Sequence, residues 1–349
     1  MREEIENDAE GAAIRRALAG AAAALLTASL LVGCRPAATV APADAEPALQ
    51  RIEDGHALVR SGRYGAAAEV YATVLEALPP AERAATAAVA LGADGPRSYR
   101  RLLASLHANL GLCDLRRRQF EDAAARYEEA LSIDPGSLAA QRGLGLTLLH
   151  LRRYPEAARQ LEHVVADPRA TAKDHLDLGR GARHTEHRER ARWALRRALH
   201  LARRQTGVET WGVALEARRE LAAMALEDGR AEAARRWLDD LLADAPGDAE
   251  ARFLLTRALT VLGHPREAEL QRRRFEDVAA THAAIQVRLL SPPVADADRR
   301  WVAERYAGLG LLHLAHTHFL KLQARAPDDA SLDLALREIH LRAGRRGQS

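Results

Sequence analysis

Three features return in this chain at intervals of 34 residues. A Leu-Gly pair stands at Leu110-Gly111, Leu144-Gly145 and Leu178-Gly179. A small residue follows at Ala123, Ala157 and Ala191, and a third small or β-branched residue at Ala130, Val164 and Ala198. A fixed period of this length marks one supersecondary unit repeated along the chain. Two helices approach to about 8–10 Å only where their contact residues are small. Gly111 and Ala123 would make that contact, with Ala130 facing the next unit and Phe120, Tyr127 and Leu131 filling the space around it. Pro135 cannot continue a helix and closes the unit. A single hairpin cannot bury its apolar face alone, so the units must stack on a shared core.

Composition agrees with helices. The 349 residues are dominated by Ala, Leu, Arg and Glu, all strong helix formers. β-branched residues are sparse, and no segment alternates with period two over strand length. The clearest units are Leu106 to Ser137, Gln141 to Pro168 and His175 to Ala202. They resemble the tetratricopeptide repeat, a 34-residue helix–turn–helix with small residues at the helix crossing and a proline at its end. The resemblance implies an all-α, right-handed superhelical solenoid of about seven repeats, near 48–80, 104–137, 138–170, 172–204, 215–247, 249–278 and 296–328. A lone capping helix at 330–344 would close it. The second-helix alanine recurs at 67, 123, 157, 191, 234, 268 and 315. Extra residues therefore fall at 81–98, near 205–212 and near 279–294, and Arg272 stands where a large apolar residue belongs.

The N-terminus is an address. Arg15 and Arg16 precede an apolar run from Ala17 to Val32, the pattern of a secretory signal. The run is short and alanine-rich for a permanent span. Its end, Leu31-Val32-Gly33-Cys34, resembles the lipobox of bacterial lipoproteins. That resemblance implies cleavage before Cys34 and lipidation of its thiol, with residues 1–33 as signal peptide. The alternative is an uncleaved signal-anchor with an incidental cysteine. Residues 1–10 are acidic, against the positive start such a signal should have, and a start site placed too far upstream would account for them. Residues 34–46 are Pro/Ala-rich and read as an extended tether, leaving 47–345 for the solenoid. Cys113 is the only other cysteine, so it reads as a small packing residue inside a helix. Arg35 stands where relatives retained at the inner membrane carry Asp. This favours the outer membrane, with the protein facing the periplasm.

The residues carry no signature of catalytic or cofactor chemistry. The net charge is +3; without residues 1–33, which hold three arginines and five acids, it is +5. Lys173 and Lys321 are the only lysines, an arginine bias that codon composition explains without phosphate binding. Arg116–Arg118 and Arg272–Arg274 read as solvated helix faces, and nucleic acid is not expected. "HTEH" (His184 to His187) lacks the spacing of zinc hydrolases. His313 and His316 sit one turn apart without a carboxylate or cysteine beside them and read as surface histidines. No phosphate loop, haem-attachment motif or nucleophile elbow occurs. No enzymatic activity, cofactor, metal or small-molecule substrate is expected.

The resemblance further implies a groove lined by the first helices of the repeats that receives a protein or peptide. From the second repeat it would take Asn109, Leu112, Leu115 and Arg116. The third would give Arg142, Leu146 and Leu149, and the fourth Lys173, Arg180 and Arg183. This is a leucine strip edged with cations, complementary to a partner with an apolar stripe and acidic groups. It lacks the Lys/Asn carboxylate clamp of chaperone-binding relatives. The expected role is a lipid-anchored scaffold for protein–protein contacts in the cell envelope, akin to repeat lipoproteins that help assemble pili and outer-membrane proteins. An accessory subunit organising a secreted enzyme or electron-transfer complex is the alternative, and a purely structural envelope protein a third.

Overall fold

A computed structural model describes residues 42–78, 95–205, 207–290 and 294–346. The signal peptide, Cys34, residues 35–41 of the tether and most of the first insertion lie outside the described residues. The described residues form fifteen α-helices and no strand: α1 (Pro42–Arg60), α2 (Tyr64–Ala77), α3 (Gly95–Arg116), α4 (Phe120–Ile133), α5 (Leu138–His150), α6 (Tyr154–Ala166), α7 (Ala172–Arg183), α8 (Arg188–Arg203), α9 (Val208–Glu227), α10 (Ala231–Asp244), α11 (Ala249–Val261), α12 (Pro265–Leu289), α13 (Asp296–Gly308), α14 (Leu312–Gln323) and α15 (Ala330–Arg346). The fold is all-α. α1 begins at Pro42, so residues 42–46 are helical rather than extended; proline suits the first turn of a helix, where its missing N–H has no partner to lose. The extra residues near 205–212 and 279–294 lengthen helices: α9 has 20 residues and α12 has 25.

The chain divides into two compact units, which meet at residues 160 and 161. In the first, α1 to α3 share a core of Ile52, Tyr71, Val74, Leu102, Leu106, Leu110 and Cys113. A second cluster joins α3 to α6 through Leu115, Ala123, Tyr127, Ala130, Leu144, Leu148 and Ala157. Cys113 is fully buried, and burial pushes its thiol up to about 11. In the second unit one core runs from Val208 to Ala343. Regular stacking lets a hairpin touch only its neighbours. Here α9 also packs against α14 and α15, so Trp211 and Leu215 share their core with Leu312, Ala315 and Ile339.

The hairpins have a common build. All seven second-helix alanines, from Ala67 to Ala315, are buried. A small residue on the first helix meets a large one sixteen positions later. A Cβ on Gly55 would lie 2.6 Å from Tyr71 Cε1, and one on Gly111 3.0 Å from Tyr127 Cζ. One on Gly179 would lie 2.5 Å from Leu195 Cδ2. Six hairpin turns share one cap. Gly62, Arg118, Arg152, Gly229, Gly263 and Gly310 take the left-handed conformation. The N–H of the next residue then bonds five residues back, as Arg63 to Leu58 and Arg153 to Leu148 do. Helix starts are capped by Ser137, by Asp248 and by a Thr171/Asp174 capping box.

Candidate functional site

The predicted groove residues fall in both units, and each set is placed by its own helices. In the first unit, α3 carries Asn109, Leu112 and Arg116 at helical spacing. Asn109 Nδ2 lies 3.3 Å from His56 Nε2 of α1, Leu112 is half-buried and Arg116 is exposed. Leu115 does not line an open face. It is buried in the α3–α6 core because it sits one position before Arg116, on the side turned to Ala123 and Leu148. On α5, Arg142 is half-buried. Leu146 and Leu149 are half-buried against the same core.

In the second unit, α7 brings Lys173, Arg180 and Arg183 together, and α9 meets them with acids. Lys173 Nζ lies 2.7 Å from Asp177, and the Arg180 guanidinium lies 3.8 Å from the same carboxylate as an ion pair. Arg180 reaches Glu216 at 2.8 Å and Glu220 at 3.3 Å. Arg183 pairs with Glu220 at 2.6 Å and with Glu227. Arg188 then joins Glu227 to Asp228, and Asp228 accepts from Arg192 and Arg230, both at 2.6 Å. With Glu189 on Arg192, the network holds six cations and six carboxylates and is neutral.

The titrations follow from this geometry. Burial pushes the Asp228 carboxyl up, but hydrogen bonds from Arg192, Arg230 and Arg188 outweigh it and hold it down at about 2. Glu216 and Glu227 are likewise pushed up by burial yet end below their ordinary range, Glu216 through Arg180 and Lys173 and Glu227 through Arg183 and Arg188. At Asp177 burial wins over Lys173 and raises the carboxyl. The cationic edge expected from α7 is therefore met within the protein. The acids responsible, Glu216, Glu220 and Glu227, recur at i, i+4 and i+11 on α9, one helix face, and that spacing was the available signal.

The histidines of α14, His313, His316 and His318, are half-buried rather than exposed. A Cβ on Gly212 of α9 would lie 2.9 Å from His313 Cγ, and the His313 ring centre is 5.9 Å from that of Trp211. His316 packs edge-on against His340 at 4.9 Å. The reason is the return of α14 onto α9 and α15, which partly covers a second side of the helix. Among the described residues no group of three or more metal-ligating side chains converges. None of their helices is long and apolar enough to cross a membrane.

Residues 114–173 match the tetratricopeptide repeat family. No curated protein sequence matches the chain. Among solved structures, a tetratricopeptide repeat protein from Parabacteroides merdae is 12% identical, with a TM-score of 0.49 over 85% of this chain and 99% of that one. The MamA protein is 19% identical, with a TM-score of 0.44 over 52% of this chain and 94% of that one. PilW, a type IV pilus biogenesis factor, is 17% identical, with a TM-score of 0.44 over 67% and 98%.

Proposed function

We propose that this protein is a lipid-anchored scaffold that holds partner proteins in the bacterial cell envelope. The observation that carries the scaffold role is the stack of helix hairpins with a tetratricopeptide match at residues 114–173. Such a stack presents long helical faces on which a partner protein can lie. The anchor rests on the sequence alone: an apolar run ending in Leu31-Val32-Gly33-Cys34 and followed by a Pro/Ala-rich stretch. Cleavage before Cys34 would make the lipidated cysteine the new N-terminus. The tether would then hold the helical units off the membrane on the periplasmic side, with Arg35 favouring the outer membrane.

Growth with labelled palmitate tests the anchor. The full chain should take up label and fractionate with membranes, and the Cys34→Ala chain should do neither. Equal labelling of both, or of neither, would overturn it. Crosslinking in intact cells followed by affinity capture tests the scaffold role, which predicts a defined protein partner whose recovery does not depend on detergent. Capture of no protein would overturn that role.

A further inference from the structure

In the second unit the side expected to bind is already satisfied: Lys173, Arg180 and Arg183 are paired, and His313 lies on Gly212 of α9. Unmet chemistry lies instead on α8 to α10. One hollow of about 350 Å³ opens between α8 and α10, with Leu221, Met224 and Ala225 of α9 beneath it and Trp237 in its wall. A second, of about 340 Å³, runs along α8 beside Trp193. Arg192 and Arg196 line both and form the ridge between them.

The two hollows differ from the neutral network in their charge. Arg196, Arg197 and Arg236 are exposed at their edges and have no carboxylate within ion-pair distance among the described residues. Trp193 is 44% exposed, unusual for a tryptophan, and is held in place by the Arg190 guanidinium 4.0 Å above its ring and by His175 edge-on at 5.4 Å. A rigid aromatic wall beside unpaired arginines is the composition that carries binding energy in protein interfaces.

We propose that the two hollows form one docking site for an acidic peptide segment of a partner protein. Two apolar side chains of the segment enter the hollows, against Trp193 and Trp237, and its carboxylates pair with Arg196, Arg197 and Arg236. Bidentate pairing with a planar guanidinium gives the contact its geometry. Glu189 and Asp240 also line the hollows. They disfavour a continuous run of phosphates, as on a nucleic acid or an anionic membrane, whereas a peptide can place its carboxylates clear of them. The inference rests on the scaffold reading and names the surface and partner chemistry for it.

The test uses the full chain and a fluorescein-labelled 12-residue peptide of glutamates with leucine at every fourth position. Its counterpart replaces glutamate by glutamine. Anisotropy should show the glutamate peptide binding at least about tenfold more tightly, with affinity falling as NaCl rises. Arg196→Glu with Arg236→Glu should remove that preference while circular dichroism stays unchanged, and Trp237→Ala should weaken both peptides. Equal affinity for the two peptides, no binding of either, or unchanged binding by the arginine variant would overturn the proposal. Binding of phosphatidylglycerol vesicles or a single-stranded oligonucleotide through the same arginines, in preference to the peptide, would also overturn it. If partner capture in cells survives the double arginine variant, the site fails and the scaffold stands. If the unaltered chain captures nothing, the scaffold reading itself fails.

Discussion

The ring of Tyr127 occupies the space into which a side chain on Gly143 would project. It comes from α4, whereas Gly143 belongs to α5, the first helix of the next hairpin, so one tyrosine is held between Gly111 of its own hairpin and Gly143 of the following one. A methyl group at Gly143 would fall on Cε1 and Cζ of a ring that is 3% exposed and cannot swing aside. Gly143→Ala should therefore destabilise the first unit by roughly 1–3 kcal/mol. Ala157→Leu, at a fully buried alanine, should cost a similar amount. Gly65→Ala is the control: nothing lies within 4 Å of its added Cβ, and helix propensity should stabilise it by up to about 1 kcal/mol. Thermal unfolding followed by circular dichroism ranks the three.

The left-handed turns make the opposite prediction. Arg118 and Arg152 adopt φ of 65° and 58° where four other turns use glycine. An L-residue with a side chain pays roughly 1–2 kcal/mol for that conformation, only part of which is offset by glycine's larger loss of entropy. Arg152→Gly should raise stability by about 0.5–1 kcal/mol, measured by urea unfolding.

Arg183 is the central cation of the α7–α9 network, and its removal would leave Glu220 and Glu227 without it. Arg183→Met should lower the stability of the second unit by about 1–2 kcal/mol, since the pair is only partly buried. Lys173→Met should cost less than Arg183→Met, on the order of 1 kcal/mol, because its side chain is about half exposed and Arg180 still faces Asp177. Urea titrations at low salt and at high NaCl should narrow the difference between Arg183→Met and the parent.

His318 sets a pH limit. Its burial, reinforced by Lys321 and Arg299, lowers the imidazole from 6.5 to about 4. The ring packs at 5.8 Å from Tyr306, and its buried Nδ1 has no hydrogen-bond partner among the described residues. The folded state binds this proton more weakly than the unfolded one. Its contribution is complete above about pH 6.5 and is lost as pH falls toward 4, a change of about 2–3 kcal/mol. Asp228 acts lower, between its ordinary 3.8 and about 2. Unfolding curves at pH 7, 5.5 and 4 should show the loss, and His318→Gln should reduce it without abolishing it, because burial also lowers His56, His107, His175, His313 and His316.

Cys113 should be silent to thiol reagents. It is fully buried, and its thiol is pushed up to about 11, so little of the reactive thiolate forms at neutral pH. In the Cys34→Ala chain, maleimide should label no thiol under native conditions and one in urea. Rapid native labelling would show that the α1–α3 core opens.

The sequence by itself determined the hairpins. Helix formers at a 34-residue period, alanines at fixed positions and turn residues between them are local or nearly local instructions, and helices obey them: Ala67, Ala123 and Ala191 are all buried, and Gly62 and Gly229 turn the chain. What faces what was decided only by the tertiary structure. Nothing in the stretch around His313 tells that α14 returns to α9 across four helices, because that contact depends on the lengths of α9 and α12 and the turns between them. The charge of Arg180 and Arg183 was legible but its fate was not, since the acids that meet it stand some forty residues later. Small residues at short range fix how two helices cross. The electrostatic character of a surface depends on partners from distant parts of the chain, and only the folded arrangement brings those to hydrogen-bonding distance.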